Sequence, residues 1–328
     1  MGQSGRPIVS VVIIFLNEAK FLSEAIDSVC AQTFTDWELV LVDDGSTDGS
    51  SELAQERAAA EPDRIRYLDH PGHATMGMSA SRNRGVRAAA GRYVGYLDGD
   101  DVWLPQKLDG QLALMAANPG VGIVYGPLIR WYSWTGRPED AGRDDEYGIH
   151  GIGYTVRPPQ LFQPPELVAL FIRHKDLVPS GALFERELFL EVGGAENDFV
   201  DNYEDAVAFA KLCSRTPALC AERSWYLYRQ YPSAADRADR VRNGPAGDRP
   251  RGSSARLRFL EWVEGYLERE RLDDVALAAA LRDARLQILR PRTHRLLRAL
   301  QRGRRLAAVH RGRGPALELG DSGRERAR

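Results

Sequence analysis

The sequence predicts an α/β protein: a doubly wound, mostly parallel sheet with helices on both faces, followed by a helical C-terminal extension. Three observations lead there. Uninterrupted β-branched runs such as "IVSVVIIFL" (8–16) suit strands covered on both faces. These runs alternate with segments whose apolar residues recur at helical spacing. Each run also ends in a polar cluster, and ligands of such sheets bind beyond the carboxyl ends of the strands.

Taken in order, "NEAKFLSEAIDSVCAQ" sets Phe21, Leu22, Ala25, Ile26 and Val29 on one helical face after the first strand. "WELVLVDD" (37–44) is the second strand, and "GSTDGSSELAQERAAA" a turn and second helix. "RIRYLDH", "GMSASRNRGVRAAA" and "RYVGYLD" follow as strand, helix and strand, and Trp103-Leu104-Pro105 is expected to open the next helix. "VGIVYGPLIRWYSWTG" has strand character, whereas the polar, Gly/Pro-rich 137–160 is expected to be a mobile loop. "LVPSGALFERELFLEVGG", "NYEDAVAFAKLC" and the strand-like "SWYLYRQY" restore order. Residues 236–253 have linker composition, 254–313 carry one or two amphipathic helices interrupted at Pro291, and 314–328 read as a disordered basic tail. No internal repeat is present.

Bulk properties exclude several classes. A net charge of −2 does not favour nucleic acid as a partner. The cations are uneven, however: residues 281–328 hold fourteen Arg against four acids, which leaves about −12 on the first 280. Three cysteines without a C-x-x-C pair indicate neither a disulfide framework nor structural zinc. The N-terminus lacks a signal pattern and the strongest apolar run is too short to span a bilayer, so a cytoplasmic location is expected. The Arg-rich helix with Leu286, Leu289, Leu296, Leu297 and Leu300 suits a solvated face against the main domain; contact with an anionic membrane surface is the less favoured alternative.

Three polar clusters, at 17–18, 43–48 and 98–101, fall at strand ends on one rim. "DDGSTDGS" makes a good turn and helix N-cap, which accounts for Gly45 to Asp48 but not for Asp43 and Asp44. A carboxylate at that strand tip could accept a nucleobase N–H. In "DGDD" (98–101), the acids at the mouth of a buried strand need either solvent or a cation. Gly99 lets Asp98 and Asp100 face one centre, and hard carboxylate oxygens suit Mg²⁺ or Mn²⁺ completed by diphosphate and water. No Gly-rich phosphate loop is present, which leaves the metal as the chief diphosphate anchor. Arg82 and Asn83 lie one helix earlier, within reach of the rim. Glu204 and Asp205 open a helix, where they either complement its dipole or supply a general base.

Together these residues resemble the family 2 glycosyltransferases of the GT-A, Rossmann-like fold, over residues 7 to 235. The ordered set carries the resemblance: V-S-V-V-I-I-F-L-N-E, A-Q-T-F-T-D-W-E-L-V-L-V-D-D-G-S-T-D, S-R-N-R-G, Y-L-D-G-D-D-V-W-L-P, G-G…E-D and Y-R-Q-Y-P. It implies a catalytic domain over 1–235, with a nucleotide half at about 7–118 and an acceptor half at about 119–235. Asn17 and Glu18 would lie near the ribose, Asp44 near the base, Asp98 and Asp100 at ribose and metal, and Asp205 would be the base, with Glu204 beside it. The implied reaction is metal-dependent, inverting transfer of one sugar from a UDP-, GDP- or dTDP-sugar to a hydroxyl on a glycan, lipid-linked or small-molecule acceptor, in building surface polysaccharide, lipopolysaccharide or another glycoconjugate.

Departures from the family pattern are visible as well. Leu16 stands where an aromatic often precedes the Asn, Ala195 where Phe is usual, Val207 where many members have a second acid, and Tyr231 where a His often serves as an extra metal ligand. Ala195, Val207 and Tyr231 motivate an alternative, a catalytically degenerate sugar-nucleotide-binding module within a glycan assembly complex. The processive Gln-x-x-Arg-Trp signature is absent, which favours single-sugar transfer.

Overall fold

The structure is a computed structural model and describes residues 5–148, 150–151, 154–174, 177–199, 203–232 and 253–291. Of the expected linker at 236–253 only Ser253 is described, at the start of a helix; residues 236–252, the C-terminal stretch 292–313, including Leu296, Leu297 and Leu300, and the tail 314–328 lie outside the described residues. In chain order the strands are β1 (Val9–Phe15), β2 (Trp37–Asp43), β3 (Ile65–Asp69), β4 (Tyr93–Asp98), β5 (Val102–Trp103), β6 (Ile123–Tyr125), β7 (Leu128–Trp131) and β8 (Asp145–Tyr147). They continue as β9 (His150–Gly151), β10 (Tyr154–Thr155), β11 (Gln160–Phe162), β12 (Leu183–Glu185), β13 (Ala218–Cys220) and β14 (Tyr226–Arg229). The α-helices are α1 (Leu22–Cys30), α2 (Ser50–Ala60), α3 (Met78–Ala88), α4 (Lys107–Ala117), α5 (Glu166–Arg173), α6 (Arg186–Glu191), α7 (Glu204–Cys213), α8 (Ser253–Arg269) and α9 (Val275–Leu289). Residues up to Leu281 form one compact unit, and a second begins at Arg282.

An eight-stranded sheet in the order β11-β13-β6-β12-β4-β1-β2-β3 carries the core. β1, β2, β3 and β4 are mutually parallel, and β12 enters antiparallel between β4 and β6. Every residue of β1 and of β2 is buried, which explains why both read as continuous apolar runs rather than alternating ones. Parallel register places Phe15, Asp43 and Asp69 side by side at one end, and Asp98 opposite Ile14. That end is the expected rim.

Helix α3 packs on β1 and β2 through Gly85: a Cβ there would lie 2.3 Å from Val12 Cγ1. Gly85→Ala is therefore expected to destabilise the protein by about 1–3 kcal/mol, as overpacking does, measured as a lower urea midpoint at unchanged slope.

Two expectations are corrected here. Trp103 does not open a helix: Val102 and Trp103 form β5 against β14, and α4 starts at Lys107. The stretch "VGIVYGPLIRWYSWTG" is two strands in two sheets, with β6 in the large sheet and β7 in a small one ordered β5-β14-β7-β8. Part of the expected loop belongs to that small sheet, because Asp145 to Tyr147 pair with Leu128 to Arg130 and Arg130 is ion-paired with Asp145. Its exposed acidic residues carry no apolar alternation that could have announced a strand.

Candidate active site

The first polar cluster organises the second. Asn17 takes a left-handed conformation (φ 57°), from which its N–H donates to Ser46 Oγ and its Oδ1 accepts from the N–H of Thr47. The N–H of Glu18 donates to Ser50 Oγ. Asp43 is fully buried, and its carboxylate accepts from the N–H groups of Gly45 and Ser46 and from the hydroxyls of Ser51 and Tyr67. Expected to meet a ligand, it instead holds the turn, since an unsatisfied buried carboxylate would be costly. Asp44 is buried too; it accepts from the N–H groups of Met76 and Gly77 and from Ser81 Oγ, with His70 Nε2 3.4 Å away. It thereby ties the segment before α3 to the tip of β2.

Asn83 is turned toward the segment after α6. Its Nδ2 donates to Ala195 O and Asn197 Oδ1, and its Oδ1 accepts from the N–H of Ala195. Both amide hydrogens are used in fixing the turn after Gly193-Gly194.

Arg82, one residue earlier on α3, gathers the rim. Its Nη1 lies 3.0 Å from Glu204 Oε1 and its Nη2 3.1 Å from Asp98 Oδ1, with the guanidinium almost wholly buried. The ion pairs bring the ends of β4, α3 and α7 together. Asp205, next to Glu204 at the start of α7, is pushed up to about 7 by desolvation first and then by the Glu204 carboxylate; Arg82 opposes the rise and Asp98 adds to it. A carboxyl that titrates near neutrality at the mouth of a sheet can exchange a proton with a hydroxyl. The helix start is set by Tyr203 in a left-handed conformation (φ 67°), whose ring stacks on Phe259 of α8 at 4.9 Å.

The acidic turn is built tightly. A Cβ on Gly99 would lie 2.8 Å from Phe15 Cβ, so only glycine lets the turn close against the end of β1. Asp101 points away from the rim: buried, it accepts from Tyr226 Oη and from the N–H of Arg229, both at 2.8 Å. Burial, followed by the charges of Asp100 and Asp98, pushes its carboxyl well above the ordinary range. Arg229 donates from Nε to the carbonyl of Asp100 and from Nη2 to Glu24, while Phe21, Trp131 and Trp134 surround its guanidinium at 4.3 to 4.9 Å. Tyr231, at the place of the family's His, donates its hydroxyl to Asp100 Oδ2 at 2.7 Å.

Among the described residues no three His, Cys, Asp or Glu side chains converge as a metal cage. Two carboxylates nonetheless suit a hard divalent cation that keeps waters and takes phosphate oxygens. The mutual repulsion of Asp98, Asp100 and Asp101, recorded in the raised Asp101, is what such a cation would relieve. Asp98 and Asp100 are the residues that would hold it.

Sequence reasoning missed Arg229, Tyr226, Glu24 and Tyr203. Y-R-Q-Y-P was noticed as a pattern, but a contact between Glu24 and Arg229 spans 205 residues and leaves no local trace.

Comparison with known proteins agrees with this architecture. An uncharacterized glycosyltransferase of Nostoc sp. is 40% identical over 117 residues, 36% of this chain and 35% of that one. The Escherichia coli protein WfgD, a UDP-Glc:alpha-D-GlcNAc-diphosphoundecaprenol beta-1,3-glucosyltransferase, is 32% identical over 119 residues, 36% of this chain and 45% of that one. The matched segments thus span less than half of these relatives. Among solved structures, S. aureus TarS 1–349 in complex with UDP-GlcNAc superposes with a TM-score of 0.56 at 15% identity, covering 86% of this chain and 74% of that one, a likeness of fold. Among the described residues no helix is long and apolar enough to cross a membrane. The sequence profile of "Glycosyl transferase family 2" matches residues 10–193, more than half of the 328, and the chain belongs to that family.

Proposed function

We propose that the protein transfers one sugar from a nucleoside-diphosphate sugar to an acceptor hydroxyl, with inversion and with Mg²⁺ or Mn²⁺, in the assembly of a surface polysaccharide or related glycoconjugate. The observation that carries the proposal is the Asp98–Arg82–Glu204 chain with Asp205 beside it, which sets a near-neutral carboxyl against the acidic turn at the strand ends. Relatives named as glycosyltransferases and a UDP-GlcNAc-bound structure of the same fold support it.

Asp205 accepts the proton of the acceptor hydroxyl as that oxygen attacks the anomeric carbon, and the bond to the diphosphate breaks. Asp98 and Asp100 are the residues that would hold a divalent cation, which would neutralise charge developing on the leaving diphosphate. Arg82 holds the Glu204 and Asp98 carboxylates in place, and the Asn17–Thr47 bond shapes the wall on which the nucleoside would rest.

Asp100→Ala is expected to lower the affinity for UDP, GDP or dTDP in the presence of Mn²⁺ by about tenfold or more, and to abolish the difference between nucleotide binding with and without metal. Isothermal calorimetry with each diphosphate checks this, and unchanged affinity would sink the metal role. Tight sugar-nucleotide binding without hydrolysis or transfer across a broad acceptor panel would favour the binding-module reading.

A further inference from the structure

Beyond the rim, α3 presents another face to a separate cavity. It has a volume of about 470 Å³ and is lined by Leu68, His70, Ala80, Arg84, Arg87, Ala88 and Asn197. Residues 80, 84, 87 and 88 share one side of a helix with 3.6 residues per turn, and Arg82, two positions from Arg84, points to nearly the opposite side. The cavity is therefore separated from the Asp98–Glu204 chain by the body of α3.

Its polar groups include the half-buried Arg84 and the exposed Arg87 and Asn197. The Arg84 Nε is buried without a hydrogen-bond partner, and neither Arg84 nor Arg87 has a carboxylate partner among the described residues. Arg82 holds two carboxylates, Arg66 is bonded to Glu38 and Arg229 to Glu24, whereas the half-buried Arg64, Arg173 and Arg256 donate to backbone carbonyls instead. Asn197 spends its carbonyl oxygen on Asn83, which leaves its Nδ2 as a donor beside the arginines. His70 is bonded to Ser81 Oγ through Nε2, and Ser81 Oγ in turn donates to Asp44, so Nε2 is the ring nitrogen that carries hydrogen. Burial disfavours a second proton on this ring; the Asp44 carboxylate opposes that effect and the nearby Arg84 adds to it. Two guanidinium groups, an amide donor and apolar walls from Leu68, Ala80 and Ala88 make a cavity whose polar groups suit an anion.

The geometry points to a second ligand site on the outer face of α3, formed by Arg84, Arg87 and Asn197, that binds a small anion bearing a carboxylate or phosphate group. A guanidinium pair can take either group bidentately, and the volume admits a monosaccharide-sized molecule carrying it. The inference does not depend on glycosyl transfer, because the site shares no residue with the rim.

The test uses the full chain with histidines labelled with ¹⁵N, titrated in parallel with inorganic phosphate and with glucuronate. Saturable binding of at least one is expected, accompanied by a shift of the His70 resonance; which arm saturates at lower concentration identifies the phosphate or the carboxylate class. In Arg84→Gln/Arg87→Gln the affinity should fall about tenfold or more, as two charge-assisted bonds are lost. Ala80→Glu is a second, independent variant: its carboxylate, four residues before Arg84, competes for the guanidinium groups and should abolish binding with the melting temperature kept or raised. Neither anion saturating in the wild-type protein, a His70 resonance that does not move, or wild-type affinity retained in the double variant or in Ala80→Glu would each overturn the proposal.

Discussion

Asp205→Asn is expected to lower the transfer rate by about 10²–10⁴-fold, the usual contribution of a general base, while making the folded protein more stable above pH 7. The two effects have one cause. The carboxyl is pushed from its ordinary 3.8 to about 7 by desolvation and by Glu204, so the fold favours its protonated form. Below about pH 4 the group is protonated folded and unfolded alike, and its contribution to stability is complete. As pH rises through 7 the folded protein must accept the charge it resists, and that contribution is lost. An amide carries no such penalty. The melting temperatures of wild type and Asp205→Asn should coincide near pH 4 and diverge by a few degrees at pH 8, on the order of 1–3 kcal/mol. Scanning calorimetry at the two pH values, beside initial rates of nucleoside diphosphate release, checks both halves. A variant less stable than wild type at pH 8 would show that Asp205 is held as a favourable ion instead.

Arg82→Met should have the larger effect on folding. It leaves Glu204 and Asp98 facing one another without the cation that joins them, and breaking a buried ion pair from one side costs about 3–5 kcal/mol. It also removes the one charge that holds Asp205 down, so the pH at which Asp205 ionises should move further up. In whatever fraction folds, the rising limb of the pH–rate profile should shift to higher pH, while Arg82→Lys keeps the charge and most of the profile. Urea unfolding and a pH–rate series separate the two consequences. A pH–rate profile in Arg82→Met that overlays the wild-type profile would show that Asp205 does not sense Arg82.

Much of the fold was legible because its strands are covered on both faces. β1, β2 and β4 read as apolar runs, and their polar ends marked the rim before any coordinates did. Of the candidate site, Asp98, Arg82, Glu204 and Asp205 do come together. Asp43 and Asn83 lie beside them but turn their polar atoms into the protein, and residue type does not say which way a carboxylate points. Asp43 looked available because its turn partners, Gly45 and Ser46, were read as a cap needing no help from it. The short strands β5, β7 and β8 stayed hidden for another reason: each is completed by residues far away in the chain, and two or three exposed residues carry no period.

The small sheet bears on how this chain can be cut and recombined. Tyr226, Arg229 and Tyr231 clamp the backbone and carboxylates of Asp100 and Asp101 from more than a hundred residues downstream. A chimera that grafts a relative's specificity region should therefore import the stretch around 225–231 together with the segment around 98–103, since a crossover placed between them would pair an acidic hairpin with a foreign clasp.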